Sequence, residues 1–444
     1  MSSISASELP VHDLSAKLPY EVWEQIFTRC LPDRPFIQPS ASSAPLLLCS
    51  VGKLWRIMAL SMPALWSSIS VIISRPGCKP QLSLVSVWLE RAAMRPLNVS
   101  LTLGGRPGIL AHTNGVAAME SLLPFARYWR RAVIRIGPFL SLKAFLRLPK
   151  TNLISLLESL DILLPTSYED AVSDLSEIEP CLPRLSSLCL ATDLPESNIP
   201  LIVFPFRHLK ELTIPSPTFT LDNCLDILQQ LPELVSFSYD QMWGVFHHLR
   251  EGPPLVMSNL RTLSLTTSSL HMHMFFDSLT LPSLSEFRLD GAYSFPTHSI
   301  VSLVTRSNCP LSTIILRLPV TEEDLIDCLT AVSASLTTFS IDGMETCVTD
   351  RLLTLLTVED DNAPPLCPKL DNLGIGPLCL SSTDGILGKM ADSRWKEPLH
   401  TARLKELNIS VGKSHEKDIK RLLELYREGL YILSFEHPDI LWAQ

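Results

Sequence analysis

The sequence predicts an α/β protein: a small all-α head of three helices, then an irregular solenoid of parallel strands with helical or loop crossovers. Three observations carry that expectation. Leucine accounts for 79 of 444 residues. A hydrophobic pattern spaced L-x-x-L-x-L returns at steps of 24 to 34 residues between Leu157 and Ile409. Residues 17–70 follow helical spacing instead. A single core rarely serves a chain of this length, so a domain pair or a repeat array is the default.

Residues 1–16 form a polar, serine-rich tail without apolar periodicity and are expected to be unstructured. LPYEVWEQIFTRC then reads as a helix. Pro19 suits its first position, where neither the absent N–H nor the fixed φ is penalised. Val22, Ile26 and Cys30 recur at i, i+4 and i+8, with Trp23 and Phe27 on the adjoining stripe. Glu21 near the start and Arg29 near the end both complement the helix dipole. Pro32, Pro35, Pro39 and Pro45 punctuate the loop that follows. The run PLLLCSVGKLWRIMA places Leu48, Val51, Trp55, Met58 and Ala59 on one face of a second helix. Pro63 breaks that run, and Ala64, Leu65 and Trp66 make a short third turn.

After Trp66 the period changes. Ten clear copies of the motif run from Leu157/Leu160/Ile162, through members such as Leu209/Leu212/Ile214 and Leu311/Ile314/Leu316, to Leu404/Leu407/Ile409. Weaker copies precede them at Trp66/Ile69/Val71, Pro96/Val99/Leu101 and Arg131/Ile134/Ile136. A period of about 20–29 residues with this motif marks leucine-rich-repeat solenoids. The last two motif residues flank a single, usually polar position, so a short strand turns them inward and the residue between them outward. One repeat cannot bury its own apolar face, so neighbours must stack. Residues 71–444 are assigned to this solenoid.

Its crossovers show helix starts at Thr321 with Asp324 and at Thr349. The stretch SHEKDIKRLLELYREG makes a closing helix ended by Gly429, and YILSF a last strand. The asparagine usual three positions past the last motif residue is missing. Those positions hold Asp193, Pro217, Met242, Ser268, Ala292, Pro319 and Met344, so an irregular solenoid is expected.

Charged residues make up 19% and the hydrophobic class 46%, a mix that excludes wholesale disorder. A net charge of -9 leaves no basic footprint for nucleic acid. Eleven cysteines occur singly with no C-x-x-C pair, which argues for reduced thiols over a disulfide framework or zinc site. No secretory signal pattern and no apolar run long enough for a bilayer is found, so a soluble cytoplasmic or nuclear protein without a membrane partner is expected. Neither a phosphate-cradling glycine loop nor a G-x-S-x-G elbow occurs, so no catalytic residue, cofactor or metal is expected. His271 and His273 would share one face of a strand, yet no third ligand follows at a known spacing. Glu359-Asp360-Asp361 lacks the periodic ligands of a calcium loop.

Three short patterns in the head carry a resemblance. L-P-x-E-x-x-x-x-I-F is formed by Leu18, Pro19, Glu21, Ile26 and Phe27. L-L-x-x-V-x-x-x-W-x-x-x-A is formed by Leu47, Leu48, Val51, Trp55 and Ala59, and P-x-L-W-x-x-I by Pro63, Leu65, Trp66 and Ile69. Over residues 18–69 this combination resembles the F-box domain. The whole chain looks like the F-box proteins with degenerate leucine-rich repeats that are abundant in fungi.

The resemblance implies a non-catalytic, substrate-recognition subunit of a Skp–cullin–F-box ubiquitin ligase. Its head would bind an S-phase-kinase-associated adaptor and through it a cullin, and its repeats an unknown target protein. Leu18 and Pro19 would meet the adaptor at the helix entry, with Val22, Ile26, Leu48 and Val51 adding apolar contacts. Trp55 joins that set and, with Trp66, chiefly fixes the helices together. The alternative is an adaptor-bound scaffold without ligase turnover.

Strand alternation nominates the outward residues Glu211, Asp240, Glu286, Arg288, Asp290, Arg317 and Asp342 for target binding. Acids outnumber bases among them, which favours a partner surface containing lysine or arginine.

Overall fold

The computed structural model describes residues 18–74, 82–104, 109–136, 154–163, 176–191, 206–215, 221–242, 252–267, 269–359, 364–396, 401–412 and 414–433. The expected tail, the second and third acids of Glu359-Asp360-Asp361, and the end of YILSF lie outside the described residues. The chain divides into two compact units, Met1–Leu163 with Pro180–Arg184, and Leu164–Glu179 with Leu185–Gln444.

The first unit opens with three helices, α1 (Tyr20–Arg29), α2 (Leu46–Val51) and α3 (Lys53–Leu60), and a one-turn helix at Pro63–Trp66. β1 (Ser68–Ser74), α4 (Leu82–Arg91), β2 (Leu97–Gly104), α5 (Ile109–Leu122), β3 (Trp129–Arg135) and β4 (Ser159–Leu163) follow. The four strands run parallel in chain order. Trp66, Trp88 and Trp129 are fully buried and dominate this core. The Trp66 ring meets Trp88 edge-on at 4.8 Å, and its indole N–H donates to the Ala59 carbonyl at 2.8 Å. That bond ties the end of α3 to the first strand's entry. The long loop after α1 is pinned too, since the Ser70 N–H donates to the Ile37 carbonyl at 2.7 Å.

Three expectations for this unit are corrected. Pro19 is the residue before the helix, with φ -57° and ψ 151°, and its carbonyl accepts from Val22 and Trp23. The residues from Leu46 to Leu60 are two helices, because Gly52 is fully extended at φ -175° and ψ 170°. Glycine is a poor helix former, and the break is bridged by the Arg56 guanidinium, which donates to the Cys49 carbonyl at 2.7 Å. The repeat copy on β3 is Trp129/Ala132/Ile134 rather than Arg131/Ile134/Ile136. Ala132 pairs in register with Val99 and Leu160, and the Trp129 ring fills the leucine position.

The second unit carries β5 (Ser187–Ala191), β6 (Glu211–Ile214), β7 (Ser236–Met242), β9 (Thr262–Thr267), β11 (Glu286–Gly291), β12 (Thr313–Arg317), β13 (Thr338–Ile341), β15 (Asn372–Ile375), β17 (Glu406–Ile409) and β18 (Tyr431–Leu433). All pair parallel with their neighbours in that order. Two short ladders flank them: β8 (Leu255–Val256) with β10 (Leu279–Thr280), and β14 (Val348–Thr349) with β16 (Leu380–Ser381).

Register holds the motif in line, so that Leu212, Phe237, Leu263, Phe287, Ile314, Phe339, Leu373 and Leu407 form one continuous inner row. Every residue of the ten clear copies is at most 6% exposed. The chain therefore builds a mixed α/β fold with a long run of parallel, solenoid-like strands.

In place of an asparagine ladder, the last repeats use carboxylates at helix amino ends. Thr321 and Thr349 cap the helices Glu322–Val332 and Asp350–Leu356, as their spacing predicts. Glu322 reaches forward to accept from the N–H groups of Thr349 at 3.0 Å and Leu352 at 3.2 Å. Asp350 accepts from the Thr383 N–H at 2.7 Å. Asp384 accepts from the N–H groups of Lys417 and Asp418 at 2.9 and 3.1 Å, and Asp418 from that of Gly388 at 2.7 Å. Negative charge there complements the helix dipole while satisfying amides that have no intrahelical partner. Gly429, at φ +106°, ends the last helix in the left-handed conformation its position predicts.

Candidate functional site

The head exposes what the ladder hides. Its interior is an aromatic cluster in which Trp55 lies 5.7 Å from Trp23 and 5.0 Å from Phe27, centroid to centroid. Beside those rings runs an outer stripe, where Leu18, just before α1, is 43% exposed and Val22 and Ile26 each 37%. Pro19 is exposed as well. Val51 is 58% exposed because the break at Gly52 ends its helix there, whereas Leu48 is buried at 4% and belongs to the head's core.

Five further apolar side chains join the exposed set, namely Tyr20, Leu47, Leu54, Ile57 and Leu60. The helical reading missed Leu54, Ile57 and Leu60 because it carried one face straight through Gly52. A glycine in the middle of the run was the available signal. Tyr20 is fixed in place by its hydroxyl, which donates to the Ser61 carbonyl at 3.0 Å.

On the second unit's strands the outward candidates fall into separate groups. Glu211 is exposed on β6. Glu286 and Arg288, two apart on β11, neutralise one another through a 2.7 Å hydrogen bond. Asp240 accepts from the Thr266 hydroxyl at 3.4 Å. Asp290, Arg317 and Asp342 come together in one cleft at the carboxy ends of β11, β12 and β13, with a volume of about 730 Å³.

Asp290 and Arg317 are register partners, and the Asp342 N–H donates to the Leu316 carbonyl at 2.9 Å, so the three stand at the ends of successive strands. Apolar residues wall the cleft, notably Leu318, Pro319, Met344 and Leu378. The first two follow a strand end, but the last two come from loops that no periodicity marks. Behind this wall, Cys347 and Cys379 face each other. The Cys347 thiol donates to Cys379, and the Gly343 N–H adds a second donor at 3.0 Å, which holds the Cys379 thiol below its ordinary value.

Other titratable groups have structural partners. Asp384, His415 and Asp418 bring ligand-type atoms within 4.8 Å of one another. Both carboxylates, however, already accept helix N–H groups, and His415 contacts Asp418 at 3.0 Å, so the trio acts as paired caps. His271 and His273 start a helix rather than lie on a strand, with rings 6.3 Å apart. Glu359 pairs with Lys389 at 3.2 Å. Among the described residues, no helix is long and apolar enough to cross a membrane.

No protein-family model matches this chain, and no curated protein matches it. Among solved structures, it is similar to the crystal structure of a TLR13–ssRNA13 complex at 14% identity and a TM-score of 0.20. That match covers 73% of this chain and 60% of the other. So low a score carries no argument, and the repeat fold rests on the register and burial of the strands themselves.

Proposed function

We propose that this chain is the substrate-recognition subunit of a Skp–cullin–F-box ubiquitin ligase. In this reading α1–α3 dock an S-phase-kinase-associated adaptor, the repeats hold a target protein, and the chain performs no covalent chemistry. Its contribution to rate is proximity, since holding a target lysine near the charged ubiquitin carrier raises its effective concentration.

One observation carries the reading. Of the nineteen large hydrophobic side chains exposed among the described residues, nine fall between Leu18 and Leu60. They lie on a head whose aromatic interior is already filled, so burial within the head does not account for them. A concentrated apolar surface of this kind marks an interaction site.

Co-expression with the adaptor tests the proposal. The wild type is expected to co-purify, and Val22→Ala with Ile26→Ala to weaken the complex by about 1–3 kcal/mol, in the range of interface anchors. Failure of the wild type to be retained would end the family reading. Retention without ubiquitin transfer to a confirmed target, in a reconstituted ligase, would favour the scaffold alternative.

A further inference from the structure

The cleft at the ends of β11–β13 differs from the rest of the outward face in one respect. On neighbouring strands of this face, charged side chains already have hydrogen-bond partners: Arg288 pairs with Glu286, and the Asn372 amide donates to Glu406 at 2.8 Å. In the cleft, Arg317 stands between Asp290 and Asp342, yet among the described residues its guanidinium forms no ion pair or hydrogen bond with either. Three charged groups are thus held side by side with their hydrogen-bonding capacity unused.

The backbone beneath them is tightly packed. Each aspartate is followed by a glycine, and a Cβ on Gly291 or Gly343 would lie 2.8 Å from the carbonyl oxygen of Thr267 or Leu318. A Cβ on Gly376 would collide with the Asp342 carboxylate, which leans over that bare position at the end of the next strand, β15. The carboxylate is therefore seated in a niche that only glycine leaves open. Above it, Met344 is 87% exposed and Leu378 58%, forming an apolar rim.

We infer that this cleft binds an extended peptide segment carrying an arginine or lysine side chain next to an apolar residue. The charge balance selects the cation: two carboxylates flank one guanidinium, so an anion drawn to Arg317 meets repulsion from both sides. Arginine fits best, because its planar fork matches a carboxylate through two hydrogen bonds. Arg317 then donates to a peptide carbonyl, and the flexible Met344 with Leu378 covers the apolar neighbour. The volume lies within the range of about 300–1,000 Å³ typical of small ligand sites. The inference rests on the target-holding half of the proposed function and names the class of segment held.

The test uses the full chain and a phage-displayed library of random nonapeptides. Enriched sequences are expected to contain arginine or lysine beside an apolar residue. The highest-ranked synthetic peptide, followed by fluorescence anisotropy, should bind the Asp290→Asn/Asp342→Asn variant at least about tenfold more weakly, as loss of close charge pairs does. Glu323→Gln, an exposed carboxylate off the cleft on the helix Glu322–Val332, should bind that peptide as the wild type does. Circular dichroism establishes that the variants are folded.

Enrichment of acidic or purely apolar sequences, no enrichment, or equal binding by the double variant overturns the inference. The docking reading is judged separately by adaptor co-purification of the same variants. Adaptor binding without selective peptide binding sinks only the cleft, and peptide binding without adaptor binding sinks only the docking head.

Discussion

In the ladder from β5 to β17, every residue of the clear motif copies is at most 6% exposed, whereas between Leu18 and Leu60 nine large apolar side chains stand at 36% or more. The residue types are the same. The difference lies in how each region closes its apolar surface. A repeat strand finds the next copy of its own motif one step along the stack, so each leucine meets another in register. The head has three short helices around Trp23, Phe27 and Trp55, and that interior is filled before the outer stripes are covered. Burial in the ladder is a property of repetition, and exposure in the head follows from its small size.

The sharpest way to break this contrast is a matched pair of truncations. Leu316→Ala should lower the unfolding free energy by about 2–5 kcal/mol, since the side chain is fully buried on the inner face, in register with Leu289 and Ile341. Ile57→Ala, at 56% exposure, should change it by no more than about 0.5 kcal/mol. Urea titrations followed by tryptophan fluorescence compare the two. Equal losses would mean that the head's outer stripe already carries folding energy and is not a free surface.

A second variant sharpens what closes the ladder besides leucine. Arg394 is 0% exposed and faces backbone carbonyls, with its guanidinium donating to Leu356 and Leu366 at 2.6 Å and to Cys367 at 3.1 Å. Burial pulls this group down to about 10. Arg394→Met keeps much of the volume but removes the donors to the Leu356 and Leu366 carbonyls, so a loss of about 1–3 kcal/mol is expected in the same titration. A neutral result would show that water replaces the cation and that the site is not closed.

The smallest effect concerns acid. Burial alone would raise the Asp392 carboxyl, but hydrogen bonds from Arg421 and from Lys396 at 2.7 Å outweigh it and hold the group below its ordinary value. A carboxyl depressed in the folded state adds stability above its unfolded value of about 3.9, and that stability is lost as pH falls further. Urea midpoints between pH 6 and pH 3 should therefore drop less steeply for Asp392→Asn than for the wild type. Parallel slopes would remove Asp392 from the account.

The strands were readable because a single spacing fixes three things at once: the strand, its inner face and its neighbour. Where another residue type filled the leucine position the reading slipped, as on β3, where Trp129 replaces it and the real copy lies two residues upstream of the apparent one. In the head, apolar spacing persists across Gly52, so periodicity alone could not reveal that the chain turns extended there and divides Leu48 from Val51 in burial. Alternation marked Asp290, Arg317 and Asp342 as outward, but only the strand register makes them adjacent. Met344 and Leu378 arrive from loops, whose course no hydrophobic pattern encodes.

The exchange of carboxylates between Asp384 and Asp418 has a mechanical result. Asp384, just before the helix Ile386–Trp395, closes the amino end of the helix Glu416–Arg427, and Asp418 of that second helix bonds back to the first turn of the other, so neither helix can come away without uncovering its mate. The two repeat turns that carry these helices are thus fastened like a two-part buckle. Parting the two helices must release both carboxylates at once, so the pair opens as a unit or not at all.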